Sequence, residues 1–176
     1  LCEHPMSRIL LTHSPDTLPN YYGERALAGL RALGDVILNS NALPLEGESL
    51  VRAAAGCDLI VSYRQSPAPA ALFERLPGLA AFLRCAIDIR NVDVAAASKA
   101  GVLVTQASAG FVASVSELVF GMMIDLSRGI SSASSVFHSG KTPPASLGRE
   151  LKGSTLGVIG YGAIGREVVR LGRAFG

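Results

Sequence analysis

A glycine-rich hexapeptide near the end of the chain has the spacing of a phosphate-binding turn. Gly160, Gly162 and Gly165 form a G-x-G-x-x-G pattern after the apolar run 155–159 and before the amphipathic stretch 166–175. In a strand–turn–helix of this kind the first glycine makes the turn, the second admits a pyrophosphate, and the third lets helix and strand pack closely. The pattern therefore predicts a dinucleotide-binding turn, and the alternative is a glycine-rich turn without a ligand.

The expected phosphate ligands are backbone amides at the predicted helix start, those of Ala163 and Ile164. Such amides point at the anion, and the helix dipole adds to the attraction. A complete site also needs a second strand and an acidic residue about 20 residues further on for the ribose. The sequence stops at Gly176. We therefore expect the first strand and first helix of a truncated Rossmann domain.

The composition and charge argue against several classes of protein. The 176 residues are 49% hydrophobic and carry a net charge of +2 without a Lys/Arg run, which argues against a nucleic-acid partner. The apolar run 118–124 is interrupted by Asp125, so no membrane span is expected. Glu3, His4 and Pro5 stand where a signal peptide has its apolar core. We expect a cytoplasmic protein.

The cysteines and histidines do not have metal-ligand spacing. They are scattered over the chain as Cys2, Cys57, Cys85, His4, His13 and His138. An odd number of isolated thiols is typical of a reducing compartment. We predict no metal site.

The first hundred residues alternate between short apolar runs and helical patterns. Short unalternating apolar strands are typical of a parallel sheet covered on both faces. Strict βαβα alternation predicts an α/β fold, a flavodoxin-like doubly wound parallel sheet. The predicted strands are 8–12, 35–38, 58–62, 81–85 and 102–105, and the predicted helices are 22–32, 47–55, 68–76 and 93–100.

Ligands of such sheets bind beyond the carboxyl ends of the strands. Arg64 follows one strand, where its planar guanidinium could hold a carboxylate or phosphate, and Tyr63 beside it could donate from its hydroxyl. Gln106 follows another strand and could hydrogen-bond substrate or a nicotinamide amide. The alternative for Arg64 is a surface ion pair. Arg90 is a rival, but Asp88 and Asp93 favour a structural pair for it.

A long helix follows the sheet region. The pattern Ser114-Val115-Ser116-Glu117 predicts a capping box at its start, and Arg128 with Gly129 predicts its end. Apolar residues lie on two of its faces, including Phe120 and Ile124 on the second. Such a helix is suited to connect two domains, and a further helical stretch, 131–138, follows it.

Three segments resemble the D-2-hydroxyacid dehydrogenase family. They are 91–105, with Asn91-Val92-Asp93 and Ala100-Gly101-Val102; 114–118; and 151–165, which contains the glycine turn. The similarity runs in order through most of 58–176 and is greatest to phosphoglycerate-dehydrogenase-like members. It implies a substrate domain at 6–106, bridging helices at 107–150 and the start of an NAD-binding domain at 151–176.

The resemblance also implies the chemistry. Family members use NAD to interconvert a D-2-hydroxy acid and its 2-keto acid, and a homodimer is expected. Their histidine, glutamate and arginine act from the cofactor domain beyond position 176, so no catalytic residue is assigned here and the chain alone is expected to be inert. Their substrate carboxylate is bound by amides of a loop after the fourth strand, which matches Cys85, Ala86 and Ile87.

The chain departs from the family at several positions. The loop 85–90 lacks the glycines that family members often carry, and 106–111 lacks their Asn and Pro-Gly. These departures bear on substrate identity more than on the fold. Cys85 is interpreted as an apolar strand-end residue, with a reactive thiol as the alternative.

Two other functions remain open, an NAD(H)-sensing corepressor-like protein and an alanine-dehydrogenase-like enzyme. We also expect a chain that ends at Gly176 to self-associate or to be disordered beyond about Gly153, because the run 156–159 and the long helix would expose apolar surface.

Overall fold

The computed structural model describes residues 6–176, so Cys2 and His4 lie outside the described part. The strands are β1 (Ser7–Leu11), β2 (Gly34–Leu38), β3 (Leu59–Ser62), β4 (Ala81–Arg84) and β5 (Leu103–Thr105). The helices are α1 (Leu18–Tyr21), α2 (Glu24–Arg31), α3 (Gly47–Ala53), α4 (Ala70–Arg75), α5 (Val94–Lys99), α6 (Val112–Arg128), α7 (Ile130–His138) and α8 (Ala163–Ala174).

The five strands form one all-parallel sheet in the order β2-β1-β3-β4-β5. This is the doubly wound order of flavodoxin-like proteins, and it confirms the predicted fold class. All five predicted strands are present, and their bounds differ from the prediction by a single residue at either end. The sheet belongs to a compact unit that ends at Ser108, and a second compact unit spans Ala109–Gly176.

Both faces of the sheet are apolar because both are covered by helices. Leu10 points into a core with Ile60 and Phe82 on one face, while Ile9 and Leu11 pack with Val61 on the other. Successive strand residues point to opposite faces, so a strand that is buried on both sides needs a continuous apolar run. This requirement explains why the strands could be predicted from the sequence.

A short helix that was not predicted precedes the first predicted one. Residues 22–32 were predicted as a helix, and α2 spans Glu24–Arg31, while α1 ends at Tyr21 before it. Tyr22 between them is extended, with φ −128° and ψ 105°. Its ring lies half-buried against the sheet, where a continuous helix would not place it.

In the second unit, α6 packs on α8, and the rings of Phe120 and Phe175 stack with centroids 4.9 Å apart. The predicted capping box is wrong. The helix begins at Val112, and the Ser114 hydroxyl donates to the carbonyl of Phe111 instead of receiving a backbone N–H. The predicted end is confirmed, since Gly129 caps α6 in the left-handed conformation with φ 66°.

The apolar faces of α6 are not all covered in this structure. Phe120 is buried, whereas Leu118 and Met122 are more than half exposed, at 57% and 56%, and Leu126 is 84% exposed. The predicted burial on more than one side is therefore limited to the face that meets α8.

The predicted strand at 155–159 is not formed as a strand. Its backbone carries no ladder hydrogen bonds to any segment within 6–176, and Ile159 is fully exposed. A β-strand needs a neighbouring strand for its backbone hydrogen bonds, and an apolar run does not by itself provide that neighbour. The glycine turn that follows the segment and the helix α8 are present as predicted.

Candidate substrate edge and nucleotide turn

The carboxyl ends of the central strands carry buried polar residues. Thr12, His13 and Ser14 follow β1 and are buried, although each has a polar side chain. Tyr63 follows β3 and is only 6% exposed. Because β1, β3 and β4 are adjacent and parallel, the segments that follow them meet at one edge of the sheet.

A hydrogen-bond network connects the ends of β1 and β3. The backbone N–H of Tyr63 donates to Oγ1 of Thr12 over 2.8 Å, and that oxygen lies 3.0 Å from Oγ of Ser66. Asn39 donates from Nδ2 to the carbonyl of Thr12 over 3.2 Å. Each buried polar group in this network has a partner, as burial requires.

The side chain of Arg84 is the centre of this edge. It is 5% exposed, and Nη1 donates to the carbonyls of Tyr63 at 2.7 Å and Ser66 at 3.1 Å. Its Nε donates to the carbonyl of Asp88 over 3.2 Å, and Nη2 donates to the carbonyl of Arg64. One guanidinium therefore connects the loop after β3 to the loop after β4.

Sequence reasoning missed Arg84. The available signal was a charged residue inside an apolar strand, where a long cation is rarely buried without partners. Burial lowers the pKa of its guanidinium, which nevertheless stays charged because arginine does not lose its proton in proteins.

In the loop after β4, the backbone N–H groups of residues 86–89 have no hydrogen-bond acceptor in the described chain. The N–H of Cys85 donates to the carbonyl of Ser62 over 3.0 Å and so belongs to the sheet edge. The N–H groups of Ala86 and Ile87 have no hydrogen-bond acceptor among residues 6–176. Of the three positions matched to the family's carboxylate-binding loop, Ala86 and Ile87 therefore have amides that can bind an anion.

Cys85 is half-buried, and its Sγ lies 3.1 Å from the hydroxyl oxygen of Tyr22. Burial raises the pKa of the Cys85 thiol. A raised pKa keeps the thiol protonated, and the thiol is a poor nucleophile. This supports the interpretation of Cys85 as a packed strand-end residue.

The other predicted site residues differ in their surroundings. Arg64 is exposed, and no carboxylate in the described part of the chain lies within ion-pair distance of its guanidinium. Arg90 pairs with Asp88 over 2.7 Å, which confirms the structural interpretation of that arginine. The guanidinium also holds the pKa of the Asp88 carboxyl well below its usual range. Gln106 is exposed just after β5.

His13 lies in a cluster of aromatic rings. Its imidazole centroid is 5.2 Å from that of Tyr21 and 5.1 Å from those of Tyr22 and Tyr63. The residue is 1% exposed, and neither ring nitrogen has a hydrogen-bond partner among the residues described. Burial lowers the pKa of His13 from 6.5 to about 4, so the ring is neutral near pH 7.

The glycine turn in the second unit has the geometry that a pyrophosphate needs. Gly160 has φ +93°, a conformation that favours glycine, and an added Cβ at Gly162 would meet nothing within 4 Å. A Cβ at Gly165 would overlap the carbonyl of Gly160. The third glycine is therefore needed for the turn to close on α8, which begins at Ala163 and leaves its first amides without intrahelical acceptors.

The residues of this turn fit an NAD-type cofactor. Open space at Gly162 and free amides at the start of α8 are the features that hold a pyrophosphate. Within 6–176, no group of three His, Cys, Asp or Glu side chains is arranged to hold a metal ion. None of the helices described is long and apolar enough to cross a membrane.

Replacing Arg84 should destabilise the first unit. The substitution Arg84→Met leaves several buried carbonyls without a donor, and each such loss costs roughly 1–3 kcal/mol. We expect the free energy of unfolding in urea to fall by about 2–4 kcal/mol.

The matched control is Arg64→Met, which removes an exposed guanidinium from the neighbouring loop. Its effect should stay within about 0.5 kcal/mol. Equal destabilisation by the two variants would contradict the role given to Arg84.

His13 should make stability depend on pH. In the unfolded chain its pKa returns to 6.5, whereas in the folded chain it is about 4. Between these values the unfolded state binds a proton that the folded state excludes, so stability falls as the pH falls from 6.5 towards 4. His13 therefore lowers the free energy of unfolding by at most about 1.4 kcal/mol for each pH unit in this range.

The measurement is urea unfolding at several pH values between 7 and 4.5. In His13→Phe, stability should fall less steeply with decreasing pH than in the wild type, because the titrating group is gone. His138→Gln, at an exposed histidine, serves as the control. Identical slopes in the wild type and His13→Phe would show that the buried ring does not resist protonation.

The chain is similar to known proteins of one family. The family model described as "D-isomer specific 2-hydroxyacid dehydrogenase, catalytic domain" matches residues 9–168. A hydroxypyruvate reductase of Thermotoga maritima is 34% identical over 133 residues, covering 75% of this chain and 44% of that protein. A D-3-phosphoglycerate dehydrogenase of Methanocaldococcus jannaschii is 32% identical over 154 residues, covering 87% of this chain and 29% of that protein.

A solved structure from Polaromonas sp. JS6 66, assigned to the NAD-binding D-isomer specific 2-hydroxyacid dehydrogenases, has a TM-score of 0.82 at 23% identity. The alignment covers 97% of this chain and 53% of that one, and it shows the common fold. The chain thus spans 29–53% of the length of these relatives. The match to the family model over 9–168 establishes that the chain belongs to the D-isomer specific 2-hydroxyacid dehydrogenase family.

Proposed function

We propose that the protein is an NAD-dependent oxidoreductase that interconverts a D-2-hydroxy acid and its 2-keto acid. The observation that carries the proposal is the glycine turn, in which Gly165 closes on the carbonyl of Gly160 and leaves open space at Gly162. This arrangement suits a dinucleotide pyrophosphate at the start of α8. NAD, when bound, supplies or accepts the hydride.

The substrate carboxylate is proposed to bind at the carboxyl edge of the sheet. The amides of Ala86 and Ile87 are the donors, with Cys85 completing the loop that the family resemblance assigns. The exposed guanidinium of Arg64 lies on the neighbouring loop and supplies positive charge. Arg84 positions both loops without itself contacting substrate, because its donors are taken up by carbonyls.

Tyr63 and Gln106 complete the proposed edge. Tyr63 follows β3 with its backbone held by Thr12, so its ring has a defined position. Gln106 is exposed after β5 and presents an amide group that can donate and accept hydrogen bonds. We propose that these two residues orient the substrate.

We propose that the 176-residue chain does not catalyse the reaction alone. Hydride transfer to a keto carbon needs a proton donor of suitable pKa. His13 is buried and neutral, and His138 lies on α7 with Nδ1 2.8 Å from the carbonyl of Ser134. Neither histidine has a carboxylate partner within 6–176.

A homodimer in the cytoplasm is part of the proposal. The exposed apolar side chains of Leu118, Met122 and Leu126 follow one another at four-residue spacing along α6. An exposed apolar patch of this kind favours association with another subunit. Cys57 and Cys85 are free thiols, as is usual in a reducing compartment.

The test is NADH oxidation by the full-length gene product with a panel of 2-keto acids. We expect turnover, and we expect Gly162→Val to weaken NADH binding by at least about tenfold, because a side chain there fills the space that the pyrophosphate needs. The backbone at Gly162 has φ −77°, which valine can adopt, so the variant should fold.

Gly121→Ala is the matched control, since an added Cβ on that exposed face of α6 meets nothing within 4 Å. It should bind NADH like the wild type. NADH binding without turnover of any 2-keto acid would favour the corepressor-like alternative, and no binding of NADH would contradict the proposal.

A further inference from the structure

The imidazole of His13 is buried at this edge, and none of the hydrogen bonds described above involves it. Neither of its ring nitrogens has a partner in the described chain, whereas Thr12 and Tyr63 beside it are hydrogen-bonded. A buried polar group without a partner costs roughly 1–3 kcal/mol. A phenylalanine would fill an aromatic cluster without that cost, so a histidine here points to a hydrogen-bonding ligand.

The surroundings of His13 define the chemistry of that ligand. The rings packed around the imidazole belong to Tyr21, Tyr22 and Tyr63. The pKa of His13, about 4, keeps the imidazole neutral, with one donor and one acceptor nitrogen. A hydroxyl group matches this pair, whereas the neutral imidazole offers a phosphate dianion one donor and no charge.

The position of His13 places it next to the proposed carboxylate site. Tyr22 connects the two, because its ring lies 5.1 Å from the imidazole and its hydroxyl oxygen lies 3.1 Å from Sγ of Cys85. Cys85 begins the loop that contains the free amides of Ala86 and Ile87.

We propose that His13 is a specificity-determining residue that hydrogen-bonds a neutral hydroxyl on the third carbon of the 2-keto acid. The inference rests on the proposed function. This hydrogen bond would make the enzyme prefer substrates with a hydroxyl group on the third carbon over substrates with a methyl or a phosphorylated group there. Tyr21, which is 45% exposed and is the outermost ring of the cluster, rotates to admit the substrate.

The experiment compares hydroxypyruvate, pyruvate and 3-phosphohydroxypyruvate as substrates of the NADH-loaded full-length protein. We expect the wild type to have the highest kcat/KM with hydroxypyruvate. In His13→Phe the ratio of kcat/KM for hydroxypyruvate to that for pyruvate should fall by about 10- to 100-fold. The value for pyruvate should stay within about threefold, because pyruvate makes no hydrogen bond to the ring.

A second readout does not depend on activity. Hydroxypyruvate should shift the imidazole ¹⁵N signals of His13 in the NMR spectrum, whereas pyruvate should leave them unchanged. His138→Phe, the same substitution at an exposed histidine on α7, is the matched control and should retain the preference for hydroxypyruvate.

The outcomes separate the two proposals. If the wild type reduces 2-keto acids and His13→Phe keeps the wild-type substrate ratio, the role of His13 is wrong while the proposed function stands. A wild-type preference for 3-phosphohydroxypyruvate would also overturn the inference. If no 2-keto acid is reduced, the proposed function and the inference fail together.

Discussion

The carboxyl edge of the sheet depends on one buried cation. Arg84 donates to the carbonyls of Tyr63, Ser66 and Asp88, so the loops after β3 and β4 are held by one side chain. The cation has no carboxylate within ion-pair distance in the described chain, and its hydrogen bonds go mainly to carbonyl oxygens. Such an arrangement is stable only when most donors are satisfied, and the amides of Ala86 and Ile87 are not used in it.

The buried remainder of that edge is polar but uncharged. Thr12 and Ser66 satisfy each other, and His13 lies neutral among three tyrosine rings. The exposed guanidinium of Arg64 supplies charge at the rim. A small organic acid can therefore be bound by its carboxylate at the loop and by a neutral group at the cluster, which is the division of roles that the proposed function requires.

The sheet was predictable because burial on both faces demands continuous apolar runs, and Ile9, Leu10 and Leu11 of β1 are an example. The glycine turn was predictable because only glycine tolerates the conformation of Gly160. Arg84 was not, because its partners are backbone carbonyls, which a sequence pattern does not display. The predictions of a capping box at Ser114 and of a strand at 155–159 were wrong. A local sequence pattern does not determine the residue at which a helix begins or whether a strand has a neighbour.

The central claim is that the loop after β4 binds a carboxylate. The most direct measurement is a titration of the ¹⁵N-labelled chain with oxalate, a stable analogue of a 2-keto acid, followed by backbone amide chemical shifts. We predict that the largest shifts occur at Ala86 and Ile87, with smaller shifts at Arg64. Saturable shifts elsewhere, with the amides of Ala86 and Ile87 unchanged, would contradict it.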